Sequence, residues 1–145
     1  MKKLLTAFFV FAFAAGCADG RRVDTVMCDV NPFGWLNAAE LHFENSDTLS
    51  TGDLLLALRC NAGVERQQLP LTIEFTAPDS TRFVESRVFV LPAADGRPTT
   101  SGTVTIPYRR AVCFRQQGTY RVSIKPSEVL HGIEAAGFTF EIRNF

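Results

Sequence analysis

One histidine and two glutamates alternate along a short segment in which metal chemistry is conceivable. Glu40, His42 and Glu44 occupy every second position of the segment Ala39-Glu40-Leu41-His42-Phe43-Glu44, and alternate residues of a strand share one face. Two carboxylates and an imidazole on one face are groups that could hold a cation weakly. The same alternation is expected of a half-buried strand with a solvated outer face. We favour the second interpretation, in which these side chains belong to the solvated outer face of a strand and do not form a cation site.

No other arrangement of side chains points to catalysis or to a resident cofactor. The chain has two histidines and four cysteines, with no Cys-x-x-Cys pair. It also lacks the GxSxG, GxGxxG, P-loop and EF-hand patterns. Structural zinc sites need several His or Cys ligands, so we predict no metal, no other cofactor and no enzymatic activity.

The N-terminus has the pattern of a secreted, lipid-anchored protein. Lys2 and Lys3 precede an apolar run that ends at Ala14-Ala15-Gly16-Cys17. A positive start, a short apolar run and small residues before a cut site describe a secretory signal peptide. The run is shorter than the roughly 20 apolar residues that span a bilayer. Small residues before a cysteine resemble the bacterial lipobox, in which the cysteine thiol receives a diacylglyceryl group.

We therefore expect a signal peptide over residues 1–16, lipidation at Cys17, and a lipid-anchored tether over residues 17–22. The alternative is an ordinary secreted protein with a cysteine near its N-terminus. Two or more acyl chains hold a protein stably at a membrane, because each buried CH₂ group contributes about 0.8 kcal/mol.

Residues 23–145 are predicted to form one domain with a hydrophobic core, since 46% of the chain is hydrophobic and 13 residues are Phe. Without the two lysines of the signal, the net charge is −2, and Lys125 is the remaining lysine. A chain with no basic field is not expected to bind nucleic acid. If Cys17 is acylated, three cysteines remain: Cys28, Cys60 and Cys113. They form at most one disulfide, for which the sequence allows any of the three pairings, or they remain small buried side chains.

The domain is predicted to be all-β, a single antiparallel β-sandwich of about seven or eight strands, because apolar stripes of period two alternate with short turn signals. The segment from Asp53 to Cys60 is apolar on both faces and indicates a central strand. Pro70 predicts an edge position for its strand. The irregular pattern over 82–91 predicts a bulge or a change of sheet, and 127–131 predicts one helical turn. The stripes are Ala39, Leu41, Phe43; Leu69, Leu71, Ile73, Phe75; Val104, Ile106, Tyr108; Tyr120, Val122, Ile124; and Phe138, Phe140, Ile142.

Trp35 and Arg59 are the residues that we single out for partner contact. Trp35 follows the turn signal Asn31-Pro32-Phe33-Gly34, so it either folds back as a lid over the core, which we favour, or forms an exposed platform. Arg59 ends the leucine-rich strand and, where partly buried, needs a carboxylate or carbonyl partner. A structural role is the favoured interpretation of Arg59, and partner binding is the alternative.

Five short motifs follow one another in a distinctive order after the lipobox. They are Gly34-Trp35, Leu58-Arg59-Cys60-Asn61, Leu69-Pro70-Leu71-Thr72-Ile73, Phe114-Arg115-Gln116-Gln117-Gly118-Thr119-Tyr120-Arg121-Val122 and Leu130-His131-Gly132-Ile133-Glu134-Ala135-Ala136-Gly137. Together they resemble the gliding-motility-associated lipoprotein H (GldH) family of Bacteroidota.

The resemblance implies a non-enzymatic lipoprotein of the outer membrane, an accessory component of a gliding-motility apparatus and of its associated protein-secretion machinery. Its partners would be the membrane, through the lipid anchor, and other envelope proteins of that machinery, with no small-molecule substrate. The alternative is a surface glycan-binding sandwich, for which Trp35, Tyr108 and Tyr120 are the candidate stacking platforms. Both tyrosines lie on inward stripes, which leaves one platform at most.

Overall fold

The structure is a computed structural model, and it describes residues 21–94, 97–98 and 101–143. The predicted signal peptide, Cys17 and most of the tether lie outside these residues. Within the described ranges, no helix is long and apolar enough to cross a membrane. The strands of these ranges are β1 (Arg21–Asp29), β2 (Ala39–Asn45), β3 (Gly52–Cys60), β4 (Gln68–Thr76), β5 (Arg82–Val90), β6 (Ala93–Ala94), β7 (Arg97–Pro98), β8 (Gly102–Val112), β9 (Gly118–Pro126) and β10 (Ile133–Arg143).

The eight long strands form two antiparallel sheets that face each other. One sheet has the strand order β1-β10-β3-β8 and the other has the order β2-β9-β4-β5, while β6 pairs with β7. This arrangement confirms the predicted β-sandwich. It also confirms the central position of the strand that is apolar on both faces, because β3 lies between β10 and β8.

The predicted inward stripes supply the core between the sheets. Leu56 of β3, Ile73 of β4 and Ile124 of β9 are fully buried, and Ile73 lies opposite Ile124 in the register of β4 and β9. Each side chain of this size contributes about 1.5–3 kcal/mol when it leaves water. The alternation of apolar and polar residues therefore fixes which face of each strand turns inward.

The expectation that Pro70 marks an edge strand is wrong, because β4 lies between β9 and β5. The pairing of β4 with β9 ends where Leu71 meets Pro126. The Pro70 carbonyl accepts a hydrogen bond from the Ser127 amide at 3.0 Å, and the N and C=O groups of one residue point to the same side of an antiparallel strand. The missing N–H of Pro70 therefore points past the last paired residues of β4 and β9, so the backbone hydrogen bonds within the paired region do not require it.

Two other local expectations are also wrong. Strand β5 keeps an unbroken register with β4 over nine residues, and its irregular pattern arises because it is an edge strand whose side chains are mostly exposed. The register shifts occur instead between β3 and β8 and between β10 and β3. Residues 127–131 form no helix, since Leu130 exchanges two backbone hydrogen bonds with Trp35 at 2.8 and 3.0 Å.

The three cysteines of the described ranges are free thiols. Strand β10 separates Cys28 on β1 from Cys60 on β3, and two strand spacings of about 4.8 Å exceed the reach of a disulfide. Cys113 follows Val112, which pairs with Gly52 at the far end of β3 from Cys60. No two of these thiols are therefore placed to form a disulfide, and of the two alternatives left open by the sequence the structure has unpaired cysteine side chains. Burial, reinforced by the charge of Glu134, raises the pKa of Cys60 to about 11.

Replacing Ile73 by Ala should lower the free energy of unfolding by about 2–5 kcal/mol, since the change leaves a cavity at a fully buried position. Chemical denaturation measures this loss. The control is Val84→Ala on the neighbouring strand β5, where an exposed side chain should cost less than about 0.5 kcal/mol. Equal losses for the two variants would contradict the position of the core.

Cys60 should resist alkylation by iodoacetamide in the folded protein, while the half-buried Cys28 and Cys113 react. With a pKa of about 11, only about one Cys60 thiol in a thousand is ionised at pH 8. Raising the pH towards 11 should speed its reaction, because the thiolate is the nucleophile. Peptide mass spectrometry with and without denaturant reads out each site, and equal labelling of all three at pH 8 would contradict the burial of Cys60.

Candidate interaction surface

Three loops interlock at one end of the sandwich, and we call residues 30–38, 61–67 and 127–132 the loop end. The Gly132 amide donates to the Pro32 carbonyl at 2.8 Å, and the Asn61 amide donates to the Gly132 carbonyl at the same distance. The Val30 amide donates to the Glu134 carbonyl at 2.9 Å. These bonds tie the β1–β2 and β3–β4 loops to the segment before β10, so the loop end is a fixed surface.

Trp35 is a structural part of the loop end. Its side chain is only 2% exposed, and its indole Nε1–H donates to the Asn37 carbonyl at 2.8 Å. The lid interpretation of Trp35 is thereby confirmed, since the ring has no open face on which a ligand could stack. Trp35 can influence a partner only through the loop that it holds against Leu130.

Phe33, which the sequence analysis missed, is the exposed aromatic residue of the loop end. The Asn31 side chain accepts a hydrogen bond from the Phe33 amide at 3.0 Å, and the Asn31 carbonyl accepts one from the Gly34 amide at 3.2 Å. This turn projects a Phe33 side chain that is 87% exposed. The sequence does contain a signal for this exposure, because an aromatic residue inside an Asn-Pro-x-Gly turn has few ways to reach the core.

Two more exposed apolar side chains accompany Phe33 at the loop end. Leu36 follows Trp35, and Val129 precedes Leu130. A Cβ atom at Gly34 would lie 3.5 Å from Val129 Cγ1, so the turn lies against Val129. We call Phe33, Leu36 and Val129 the apolar patch. Such side chains on a fixed backbone are suited to contact with another protein, because little flexibility is lost on binding.

Arg59 lies beside the loop end on the outer face of its sheet. Its Nη2 lies 2.9 Å from Asp29 Oδ1, and its Nε lies 3.3 Å from Glu134 Oε2. The Asn61 side-chain amide donates to the same Glu134 carboxylate at 3.3 Å. Arg59 therefore has the carboxylate partners that its structural interpretation requires. Because the pairs are exposed, they contribute about 0–1 kcal/mol each and leave the guanidinium accessible.

Glu40, His42 and Glu44 lie exposed on the outer face of β2, as the alternation predicts. His42 is opposite Arg121 in the register with β9, so a cation at this face would meet a guanidinium. The Thr119 hydroxyl donates to the Glu44 carboxylate. In the described part of the chain, no three His, Cys, Asp or Glu side chains are grouped so as to hold a metal ion.

The two tyrosines considered as stacking platforms are both buried. The Tyr108 hydroxyl donates to Glu85 Oε2 at 2.9 Å, and burial together with this bond raises the pKa of Tyr108 to about 12. The Tyr120 hydroxyl accepts a hydrogen bond from the Gln116 amide at 3.1 Å. Neither ring presents a face to solvent on which a sugar could stack.

No family model and no curated protein matches this chain. Among solved structures, the chain is similar to one from "Structure of infectious bursal disease virus Gx strain", at 16% identity over 84% of this chain and 32% of that one, with a TM-score of 0.43. It is also similar to the exo-beta-1,3-galactanase of Phanerochaete chrysosporium, at 11% identity over 85% of this chain and 27% of that one, with a TM-score of 0.35. The chain thus spans about a third of these proteins or less, and similarities this distant carry no information on activity.

Replacing Gly132 by Ala should destabilise the loop end more than the matched change Gly102→Ala. Both glycines have positive φ, 81° and 106°, which costs an L-residue about 1–2 kcal/mol. A Cβ atom at Gly132 would also lie 2.2 Å from the Val64 nitrogen, whereas one at Gly102 meets nothing within 4 Å. We expect a loss of unfolding free energy on the order of 3 kcal/mol or more at Gly132; equal losses in denaturation experiments would contradict the interlocked loops.

Proposed function

We propose that this protein is a non-enzymatic lipoprotein of the outer membrane and an accessory component of gliding-motility machinery and its associated protein secretion. The lipobox pattern around Cys17 and the ordered motifs that resemble those of the GldH family support the proposal from the sequence. The observation that carries its molecular part is Phe33, a phenylalanine that is 87% exposed on a fixed turn. The apolar patch around Phe33 is the surface that contacts another envelope protein.

The surroundings of the apolar patch suit a protein partner. Protein interfaces commonly have an apolar centre and a polar rim, and charged groups lie within and beside the loop end in addition to the patch. Arg66 forms an ion pair with Glu128, and Arg59 is paired with Asp29 and Glu134. In this arrangement Phe33 is the anchor, Arg59 belongs to the rim, and Trp35 positions the loop.

The course of β1 separates this surface from the proposed anchor. Strand β1 begins at Arg21, four residues after Cys17, and ends at Asp29 beside the loop end. Nine extended residues at about 3.3 Å each span nearly 30 Å. A protein anchored through Cys17 therefore presents the apolar patch at the end of the sandwich away from the tether, where a neighbouring envelope protein can reach it.

Replacing Phe33 by Ser should weaken binding to the envelope partner by about 2 kcal/mol, a roughly 30-fold loss typical of a buried aromatic anchor. The matched control is Leu49→Ser, because Leu49 is 89% exposed on the β2–β3 turn at the opposite end of the sandwich. Both variants replace an exposed apolar side chain. Colony spreading and secreted-protein yield are measured in strains that carry each variant, a deletion, or Cys17→Ala.

We expect the deletion, Cys17→Ala and Phe33→Ser strains to lose spreading or secretion, and the Leu49→Ser strain to keep both. A deletion strain that retains both traits would reject the proposed function. If the deletion and Cys17→Ala strains lose these traits while the Phe33→Ser strain behaves like the native one at normal protein level, the function stands and the apolar patch is the wrong surface. Retardation of the protein in polysaccharide-containing gels would favour the glycan-binding alternative.

A further inference from the structure

A cavity of about 450 Å³ lies between the two sheets, where β1 and β2 are the outermost strands. This volume is within the range of about 300–1,000 Å³ that is usual for ligand sites. Aromatic rings hold the cavity open. Phe114 lies 5.1 Å from Phe43 of one sheet and 5.1 Å from Phe140 of the other, measured between ring centroids. Phe75 and Phe138 face each other across the sheets at 5.4 Å.

We propose that this cavity binds one acyl chain whose head group is uncharged or zwitterionic. The inference rests on the proposed lipid anchor, which brings the protein to a membrane. Five phenylalanines line the cavity: Phe43, Phe75, Phe114, Phe138 and Phe140. Because Phe43, Phe75 and Phe140 are only half-buried, their apolar surface remains in contact with water, and a hydrocarbon chain that covered it would be stabilised by the hydrophobic effect.

Charges at the mouth of the cavity select against an anionic head group. Arg22, Asp24, Glu44 and Asp47 line this region, which gives three carboxylates for one guanidinium. Arg22 is already paired, with its Nε 3.1 Å from Asp24 Oδ2 and its Nη1 3.6 Å from Asp47 Oδ2. Hydrogen bonds from Ser50 and then Leu49 lower the pKa of Asp47 to about 2, so its charge persists at neutral pH. A free fatty acid would be repelled, whereas a glycerol ester would not.

The position of the mouth points to a membrane lipid as the source of the chain. Arg22 is five residues after Cys17, so even a fully extended tether keeps the anchor within about 18 Å of Arg22. Two sources lie within this distance: an acyl chain of the protein's own anchor, and a chain of a neighbouring phospholipid. Their shared chemistry is a hydrocarbon chain esterified to glycerol.

Photolabelling of the full, processed lipoprotein tests the proposal in two arms. In the first, cells grow on a fatty acid with a diazirine in its chain, are illuminated, and the purified protein is mapped by peptide mass spectrometry. In the second, unlabelled protein is placed in phosphatidylethanolamine vesicles that contain a trace of phosphatidylethanolamine with a diazirine acyl chain. We expect labelling at cavity residues such as Val26 and Phe138. A cross-link to the Cys17 peptide identifies the anchor as the source, and a phospholipid adduct identifies a neighbouring lipid.

Two variants of strand β1 provide the matched comparison. Val26 lines the cavity, whereas Val23 is exposed and lies on the outer face of the same strand. Val26→Phe should lower labelling of the Phe138 peptide about tenfold, the loss expected when two CH₂ groups of the chain no longer fit. Val23→Phe adds the same ring outside the cavity and should leave labelling unchanged. Thermal unfolding of each variant is measured beside the native protein to check that it folds.

Labelling confined to residues outside the cavity, or labelling at Phe138 that is equal in the native and Val26→Phe proteins, would overturn the proposal. The anchor is tested separately, because peptide mass spectrometry also shows whether Cys17 carries acyl chains. An unmodified Cys17 would reject the proposed anchor, while the vesicle arm would still report whether the cavity accepts a chain. Should Val26→Phe fail to fold, the position of the label in the native protein decides the outcome.

Discussion

The interior of this sandwich depends on the packing of the Phe114 ring against the aromatic rings around it. This ring lies on the segment that crosses from β8 in one sheet to β9 in the other, and its centroid is 5.0–6.4 Å from those of four other aromatic rings. The Asn45 side-chain amide fixes this segment by donating to the carbonyls of Phe114 and Gln116, both at 2.9 Å. A rigid ring at this point keeps the facing sheets apart, and it is why the interior beside β1 and β2 remains open.

The two ends of the sandwich are held by different forces, which suits them to different roles. The loop end is fixed by backbone hydrogen bonds such as that from Gly132 to Pro32, so not every apolar side chain there is needed for packing, and Phe33 can point outward. The end near Arg22 is held by aromatic packing between the sheets, which leaves space among the side chains. Backbone hydrogen bonds thus fix the outer surface at the loop end, and aromatic packing leaves a cavity in the interior at the other end.

Period-two patterning made the fold predictable, because each strand needs one apolar face and the chain has few alternatives to a sandwich. The errors at Pro70, at 82–91 and at 127–131 have one cause, since each depends on which strand or loop becomes the neighbour. Trp35 could be assigned to the core from its size, and Arg59 to carboxylate partners from its position. The exposure of Phe33 does not follow from its residue type, since phenylalanine is usually buried, and it depends on the turn that carries this residue. The cavity could not be predicted, since it results from ring-to-ring distances between residues far apart in sequence.

Strand β1 connects the two proposals, because it starts beside the proposed tether, borders the cavity through Val26 and ends beside the apolar patch. Each CH₂ group contributes about 0.8 kcal/mol whether it is buried in a bilayer or among phenylalanine rings. Moving one acyl chain from the membrane into the cavity is therefore nearly neutral in hydrophobic free energy. Small differences in packing and in the charges at the mouth then decide where the chain resides. Since a second chain in the bilayer strengthens anchoring steeply, occupancy of the cavity by the protein's own chain would loosen its hold on the membrane while leaving the loop end unchanged.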